Sequence, residues 1–221
     1  MHLPRLARRW SELVTRLTSA GRIHQDNSLT WQDRYPKLFG AARVLLADSP
    51  TLRILSFGCS SGEEVLTLRR YFPAARIIGA EINRHLLRAC RRLPTDKAIK
   101  FIPSSEHSLR AQGPYDAIFC MAVLTRRPHL IQQGLVHDIS RIYPFGTFAR
   151  EIRNLTSLLN AGGLLVVEHT LYRVEDAIGD LPLSVVTSHG VAPAKGPRFG
   201  PDGALVSPPP VVARLFRKTS P

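Results

Sequence analysis

Between residues 52 and 170, short apolar runs alternate with polar loops and with stretches of helical spacing. The runs are LRILSF, ARIIGAE, AIKFIPSS, YDAIFCMAVL and GLLVVEHT. Runs that are apolar on both faces are typical of parallel strands in a sheet covered by helices on both sides. Because the crossover between parallel strands is right-handed, the simplest arrangement is a doubly wound sheet. We therefore predict an α/β fold with a mostly parallel sheet and helices on both faces.

The segment before this alternating part has a different pattern. Apolar residues at helical spacing, with arginines between them, predict an amphipathic basic helix over residues 3–19. We expect this helix to pack on the domain, although a membrane-surface helix or a transit peptide would have the same pattern. A second helical stretch begins near residue 31. These features divide the chain into a helical extension, residues 1–45, and a domain, residues 46–221.

The C-terminal part of the chain is predicted to return to the sheet after a long connection. LPLSVVT and VVARLFRK have the composition of strands, and the second alternates as an edge strand would. A segment rich in proline and glycine, residues 188–210, lies between them. A connection of this length either covers a functional site or is mobile.

Net charge, cysteine content and the length of apolar runs bear on where the protein is located and what it binds. The net charge is +13 and the isoelectric point is near 10.6, which favours nucleic acid, anionic membranes or acidic proteins, unless the arginines reflect compositional bias alone. Three cysteines without metal-ligand spacing argue against a disulfide framework and against a metal site. No apolar run is long enough to span a membrane, and the N-terminus lacks the apolar core of a secretory signal. We therefore expect a cytoplasmic protein.

A small-residue loop, GCSSGEE, joins the first predicted strand to the next helix. In a doubly wound sheet, the loop at the carboxyl end of the first strand is the usual ligand contact. Gly58 and Gly62 would let the backbone turn sharply and let a ligand approach closely. A dinucleotide loop has the spacing G-x-G-x-x-G, whereas here Glu63 and Glu64 follow the second glycine and would repel a pyrophosphate. The two carboxylates suit an ammonium or a sulfonium, and they would also stabilise the helix dipole.

The end of the second predicted strand supplies a further acidic residue. Glu81 follows the glycine loop at a spacing from which a carboxylate can accept hydrogen bonds from both hydroxyls of a ribose. A surface or capping carboxylate could occupy the same place. The loop and the acid together favour a nucleoside ligand that carries a cationic group, which describes S-adenosylmethionine better than NAD.

Taken together, the motifs ILSFGCSSGEE, IIGAEI, FIPSS, YDAIFCMAVL and LLNAGGLLVVEH resemble those of class I S-adenosylmethionine-dependent methyltransferases. The motif GCSSGEE is especially similar to the corresponding motif of the chemotaxis-receptor methyltransferases. The resemblance implies a seven-stranded, Rossmann-like sheet whose last strand, VVARLFRK, is antiparallel. It also implies S-adenosylmethionine as the cofactor.

The resemblance assigns cofactor contacts to specific positions. Residues of the glycine loop would line the methionine and ribose moieties, Glu81 would hold the ribose, and Ile82 would lie beside the adenine. Ser104 or Ser105 stands where many members place an acid against the adenine amine, and the end of the fourth strand would lie near the transferred methyl group. The full set is Ser56, Phe57, Gly58, Cys59, Ser60, Gly62, Glu81, Ile82, Ser104, Ser105, Cys120 and Met121.

The sequence after the fourth predicted strand bears on the methyl acceptor. It reads CMAVLTRRP, without the Asn/Asp-Pro-Pro-aromatic motif of amino-methylating nucleic-acid enzymes, and Cys120 lacks the Pro-Cys context of base methylation at C5. Nucleic acid is therefore suggested by the net charge and not by the site motifs. We predict methyl transfer to a small molecule or to a protein carboxylate or hydroxyl, by in-line displacement and mainly through positioning.

Candidate catalytic residues follow the fifth predicted strand, in EHTLYR. His169 is the candidate general base and Tyr172 a second catalytic candidate, with Glu168 beside them. A lid over the acceptor pocket is predicted for residues 125–145. Its polar candidates, none at metal-ligand spacing, are His129, His137, Asp138 and Tyr143.

Two other functions compete with methyl transfer. A degenerate methyltransferase fold without enzymatic activity could bind nucleic acid or an anionic partner through its basic surface. An NAD-dependent oxidoreductase is disfavoured by the loop spacing and by the glutamate pair. Binding of the adenosyl cofactor separates these functions from the first.

Overall fold

The computed structural model describes residues 31–126, 130–131, 134 and 136–220. The strands are β1 (Arg53–Phe57), β2 (Arg76–Glu81), β3 (Ile99–Pro103), β4 (Tyr115–Met121), β5 (Leu159–Glu168), β6 (Leu183–Val185), β7 (Ala192–Pro193), β8 (Val211–Val212) and β9 (Leu215–Lys218). The helices of the described residues are α1 (Pro36–Leu45), α2 (Glu63–Tyr71), α3 (Arg84–Cys90), α4 (Glu106–Gln112), α5 (Phe145–Ser157) and α6 (Glu175–Ile178).

The central sheet has seven strands in the order β3-β2-β1-β4-β5-β9-β6. Strands β1 to β5 pair in parallel, and β9 is antiparallel to both of its neighbours. The predicted α/β fold, a doubly wound and mostly parallel sheet with an antiparallel last strand, is confirmed. Strand order reverses between β1 and β4, so the carboxyl ends of these two strands border the crevice in which such folds bind ligands.

The position of the last strand differs from the sequence prediction. VVARLFRK was expected to form one edge strand, but β9 lies inside the sheet between β5 and β6, and β6 forms the edge. Val211 and Val212 pair instead with β7 in a separate two-stranded sheet. The physical reason is burial on both faces, because Leu215 and Phe216 are both fully buried. The Nζ of Lys218 is satisfied by the carbonyl of Leu159, at 2.8 Å.

Two hydrophobic clusters cover the two faces of the sheet. One contains the apolar face of α5, with Phe148, Ile152 and Leu155 fully buried. The other contains buried residues of α1 and α2, among them Phe39 and Leu68. Helices therefore pack on both faces, which accounts for the uninterrupted apolar runs in the strands.

Helix α1 belongs to the core of the sheet. Phe39 is 1% exposed, and its ring lies 5.7 Å from that of Phe119 and 5.6 Å from that of Tyr71. The segment before α1 is tied to α2, because the hydroxyl of Tyr71 donates to Asp33 at 3.1 Å. The helix predicted over residues 3–19 lies outside the described residues, and the boundary at residue 45 stays a prediction.

The proline- and glycine-rich segment is joined to part of the predicted lid. Asp138 and Ala204 form an antiparallel β-bridge, and the N–H of Leu205 donates to the carbonyl of His137 at 2.8 Å. The N–H of Phe199 donates to the carbonyl of Leu171 at 2.9 Å, beside the end of β5. The two segments therefore form one cover, which we define as residues 137–140 and 190–210. No helix within the described ranges is long and apolar enough to cross a membrane.

Candidate cofactor and acceptor site

The glycine loop connects β1 to α2 where the strand order reverses. The N–H groups of Gly58 and Cys59 both donate to the carbonyl of Ala80, at 2.9 and 3.0 Å, so the loop folds over the end of β2. The φ angles of Gly58, Ser60 and Gly62 are 75°, 51° and 96°. Glycine adopts positive φ at little cost, whereas Ser60 is held there by its surroundings. Backbone strain at a ligand-binding loop is typical of a preorganised site.

Neighbouring side chains fill the space that the two glycines leave. A Cβ atom on Gly58 would lie 2.6 Å from Cγ2 of Val123, and one on Gly62 would lie 2.7 Å from Cδ1 of Leu93. The sequence suggested that these glycines allow a ligand to approach. In the structure they allow Val123 and Leu93 to approach, so the close contact that demands glycine is made within the protein.

Glu81 ends β2 directly beside the glycine loop and is 6% exposed. Its Oε2 accepts the N–H of Ser60 at 2.8 Å, and its Oε1 accepts the N–H of Asn83 at 2.7 Å. Burial outweighs these bonds and raises the pKa of Glu81 to about 7. The carboxyl group is therefore held in a fixed orientation and is close to its ionisation point at neutral pH.

The surroundings of Glu81 fit the ribose of the expected cofactor. An ionised carboxylate offers about four acceptor positions. The N–H groups of Ser60 and Asn83 take two of them, and the backbone N–H of Ile82 also favours the ionised form by lowering the pKa of Glu81. Acceptor capacity therefore remains for hydroxyl donors. Hydroxyl donors would also stabilise the ionised form, which burial alone disfavours.

Glu64 lies in the first turn of α2 and contacts the end of β1. Its Oε1 accepts the hydroxyl of the fully buried Ser56 at 2.7 Å. Desolvation raises the pKa of Glu64 to about 8, against the opposing effects of the Ser56 bond and the charge of Arg34. Such a carboxyl group is mostly protonated at neutral pH and ionises when a cation is placed beside it. Glu64 thus suits a ligand ammonium group, the chemistry predicted for the glutamate pair.

Tyr35, which the sequence did not single out, lies near both Glu64 and the end of β5. Its ring is 5.5 Å from that of His169, and burial holds the pKa of Tyr35 well above its usual range, with the charges of Glu64 and Glu168 adding to the effect. The hydroxyl oxygen is buried and has no hydrogen-bond partner in the described part of the chain. A buried hydroxyl without a partner is costly, and a ligand atom would remove that cost. Tyr35 therefore supports a ligand between the glycine loop and β5.

Four of the predicted contacts are buried side chains in or beside the glycine loop and at the end of β4. The exposed fractions of Phe57, Cys59, Cys120 and Met121 are all 7% or less. A hydrogen bond with Cys90 raises the pKa of the Cys59 thiol well above its usual range, and desolvation does the same for Cys120. Both thiols are therefore protonated, which fits a core or cofactor-wall position and not a nucleophile. Direct contact of these residues with the cofactor stays a prediction.

The predicted adenine contacts lie at the ends of β2 and β3. Ile82, Ser104 and Ser105 are partly exposed. The N–H of Ser104 donates to the carbonyl of Glu81 at 3.1 Å, which places Ser104 beside the predicted ribose contact. The Oγ of Ser105 accepts the N–H of Ser108 at 3.2 Å and caps α4. Ser104 is therefore the better adenine candidate of the two serines.

His169 directly follows β5 and has a φ angle of 54°. The backbone N–H of His169 donates to Oε1 of Glu168 at 3.0 Å. Desolvation lowers the pKa of His169, Glu168 opposes this effect, and the charges of Arg34, Arg198 and Lys195 add to it. A neutral imidazole can accept a proton near neutral pH. The placement of His169 is therefore compatible with its predicted role as a general base.

Glu168 is engaged in a buried ion pair. Its Oε2 lies 2.5 Å from Nε of Arg214, and each side chain is 7% exposed. Arg214 also donates to the carbonyls of Gly190, Ala192 and Pro193. This pair therefore holds the cover against β5, a role that only the tertiary structure reveals.

Tyr172 lies in the hydrophobic core and is not brought to the site. It is fully buried, and its hydroxyl donates to the carbonyl of Tyr143 at 2.5 Å. Its ring packs against those of Phe145 and Phe148, with centroids 5.2 and 5.4 Å away. Burial raises the pKa of Tyr172 to about 12. Packing explains this residue, and nothing in its surroundings supports the predicted catalytic role.

The polar candidates of the predicted lid have mainly structural contacts. Asp138 accepts the N–H of Ser140 at 2.7 Å, and Tyr143 is fully buried. His129 lies outside the described residues. Within the ranges that the structure describes, no group of three His, Cys, Asp or Glu side chains is arranged to hold a metal ion.

Comparison with known proteins agrees with the fold. A family model described as a methyltransferase domain matches residues 5–191. No curated protein matches the sequence. An S-adenosylmethionine-dependent methyltransferase from Anabaena variabilis has 14% identity and a TM-score of 0.56, over 98% of this chain and 96% of that one.

Two other solved structures show how far the likeness extends. The precorrin-6y C5,15-methyltransferase structure from Geobacter metallireducens has 14% identity and a TM-score of 0.51, over 87% of this chain and 94% of that one. The plantazolicin methyltransferase has 13% identity and a TM-score of 0.44, over 74% of this chain. The match covers 53% of that protein, so the chain spans about half its length. The TM-scores of the first two structures, both above 0.5, show a shared fold. The match to the family model shows that the chain belongs to the methyltransferase domain family, a class I family that uses S-adenosylmethionine.

Proposed function

We propose that the chain transfers a methyl group from S-adenosylmethionine to a hydroxyl or carboxylate oxygen of a small molecule. The observation that carries this proposal is the position of His169, a desolvated imidazole at the carboxyl end of β5 on the same sheet edge as the glycine loop. The cover, residues 137–140 and 190–210, is hydrogen-bonded to the segment that follows β5, through the N–H of Phe199 and the carbonyl of Leu171. A covered site favours a small acceptor over a side chain on the surface of a folded protein.

The proposed cofactor contacts follow from the geometry at β1 and β2. Glu81 would accept the ribose hydroxyls, Glu64 with Ser56 would hold the ammonium group, and Ser104 would lie on the adenine side. When bound, the cofactor supplies a methyl group made electrophilic by the neighbouring sulfonium. The main task of the protein is to orient the acceptor oxygen for in-line attack.

His169 would take the proton of a hydroxyl acceptor, whereas a carboxylate acceptor is already ionised and needs no base. Replacement of His169 by Gln therefore separates the two acceptor chemistries. With a hydroxyl acceptor, the variant should lower kcat about 10²- to 10⁴-fold, the usual contribution of a general base. With a carboxylate acceptor, kcat should change little. The control is His107→Gln, on the partly exposed helix α4.

The first test is a thermal-shift titration with S-adenosylmethionine and S-adenosylhomocysteine, with NADH as the comparison ligand. At about 100 times the Kd, linkage stabilises the protein by about 2.7 kcal/mol. For a chain of this size that corresponds to a rise in Tm of roughly 5 to 10 °C. Turnover is then measured as S-adenosylhomocysteine released in the presence of hydroxy and carboxylic acids.

The net charge of +13 favours one competing function, a binding module without enzymatic activity. That function predicts no saturable shift with either adenosyl ligand, together with salt-sensitive binding to generic RNA or DNA. Such a pair of results would overturn the proposed methyl transfer. A shift with NADH alone would instead restore the oxidoreductase.

A further inference from the structure

Arg198 is a buried cation in the cover segment between β7 and β8. It is 4% exposed, and its NH1 donates to the carbonyl of Pro197 at 3.0 Å. Its Nε is buried without a hydrogen-bond partner among the residues that the structure describes. Arginine is rarely buried unless its charge is paired, because the desolvation of a guanidinium is expensive. Arg198 is therefore a desolvated cation with one donor unused.

The neighbouring carboxylates act on Arg198 only at a distance. The charges of Glu168 and Glu175 both favour the ionised form of Arg198, but neither forms an ion pair with it in the described part of the chain. Oε2 of Glu175 is buried and likewise has no hydrogen-bond partner among those residues. Glu168 is paired with Arg214, and Oε1 of Glu175 accepts the N–H of Ala213 at 2.8 Å. Arg198 takes part in none of the ion pairs found in the described ranges.

The backbone holds Arg198 close to the candidate acceptor site. The next residue, Phe199, is fully buried, and its N–H donates to the carbonyl of Leu171, two positions after His169. The carbonyl of Arg198 itself accepts the N–H of Val206 at 2.8 Å. Both bonds are made by the peptide unit that joins Arg198 to Phe199, so the backbone of Arg198 is fixed next to the end of β5.

The charges around His169 are predominantly positive. Lys195, which is exposed, lies in the same cover segment, and Arg34 approaches from the segment before α1. The charge of Glu168 is balanced by Arg214. An anion beside His169 would therefore meet a positive potential and one desolvated guanidinium with an unused donor.

We propose that Arg198, with Lys195 at the entrance, binds an anionic group of the methyl acceptor, so that the acceptor is a small organic acid or phosphate ester. This inference rests on the proposed function, because it assigns the acceptor of the same site. Guanidinium binds carboxylate and phosphate oxygens by the same charge-assisted hydrogen bonds, so the structure points to the shared anionic chemistry.

The test measures ligand binding, because a binding measurement can use probe ligands in place of the unidentified acceptor. Benzoate, its neutral analogue benzamide, and inorganic phosphate are titrated by ligand-observed NMR into the full chain in the presence of S-adenosylhomocysteine. The wild type should bind benzoate at least about tenfold more tightly than benzamide, the effect of one charged hydrogen bond. Arg198→Gln should abolish this preference, and Arg198→Lys should retain part of it.

Arg217→Gln is the matched control. It also removes one arginine charge, but Arg217 bonds to the carbonyl of Gly162 near the amino end of β5, away from the site. This variant should keep the preference for benzoate. Circular dichroism of the Arg198 variants shows whether the fold is intact, and Arg198→Lys keeps the test valid where Arg198→Gln fails to fold.

Each outcome decides the inference. Displacement of benzoate by phosphate in the wild type and in Arg217→Gln, but not in Arg198→Gln, would support the anion site and assign it to phosphate esters. Equal binding of benzoate and benzamide, or an unchanged preference in Arg198→Gln, would overturn it. Weaker S-adenosylhomocysteine binding in Arg198→Gln would also overturn it, since Arg198 would then contact the cofactor. Failure of the wild type to bind S-adenosylhomocysteine would refute the proposed function. The comparison of benzoate with benzamide would still show whether Arg198 binds an anion.

Discussion

We expect Glu64 to make the free energy of unfolding depend on pH, and the substitution Glu64→Gln to remove this dependence. Its pKa is raised from 4.5 to about 8 by desolvation. The folded protein therefore keeps a proton on Glu64 at pH values where the unfolded chain has released it. The stability linked to this proton is fully present below about pH 4.5 and is lost as the pH rises through about 8. Glu64→Gln mimics the protonated carboxyl group and abolishes the dependence.

The magnitude follows from the two pKa values. One proton of difference between folded and unfolded states changes the free energy of unfolding by about 1.36 kcal/mol for each pH unit. With 4.5 in the unfolded chain and about 8 in the folded protein, the wild type should lose about 2.7 kcal/mol relative to Glu64→Gln between about pH 6 and pH 9. Other titrating groups, Glu81 among them, are common to both proteins and cancel in the difference.

The measurement is urea unfolding followed by circular dichroism, for both proteins at several pH values. Glu63→Gln is the control, since Glu63 lies in the same helical turn but accepts the hydroxyl of Ser61 and faces the loop. Its unfolding free energy should follow the pH dependence of the wild type. A difference between wild type and Glu64→Gln that stays below about 0.5 kcal/mol across the range would refute the reasoning, because the carboxyl group would then be hydrated.

Three further predictions concern the cofactor contacts and the core. Glu81→Gln should weaken S-adenosylhomocysteine binding about 10- to 100-fold in calorimetry near pH 8, with the exposed Glu106→Gln as control; equal affinity would exclude the ribose role. Binding of the same ligand near pH 7 should release protons, because its ammonium and hydroxyl groups favour ionised Glu64 and Glu81; calorimetric heats that are independent of the buffer's ionisation enthalpy would contradict this. Tyr172→Phe should lower the free energy of unfolding by about 1 to 3 kcal/mol, since the carbonyl of Tyr143 loses its donor; lost turnover at unchanged stability would restore its catalytic role.

The fold and part of the candidate site could be predicted because their signals are local. Short runs that are apolar on both faces identified the parallel strands. The glycine loop follows β1 and Glu81 ends β2, so the topology alone brings them to one edge of the sheet. Glu64 could be recognised for the same reason, as it lies in the first turn of the helix after the loop. Its raised pKa could not, because hydration depends on which side chains surround the carboxyl group.

What only the tertiary structure decided is which side chains from distant segments meet. Tyr172 lies three residues after His169 in the sequence, yet Tyr172 is in the core and His169 is at the candidate site. Tyr35 and Arg198 come from opposite ends of the described chain, and no local pattern marks either of them. The order of residues along the chain is enough to reveal a local pattern, because the residues of a strand, a loop or a helix turn are neighbours in the sequence. Burial, desolvation and unsatisfied donors are properties of neighbours in space, so they exist only once the chain has folded.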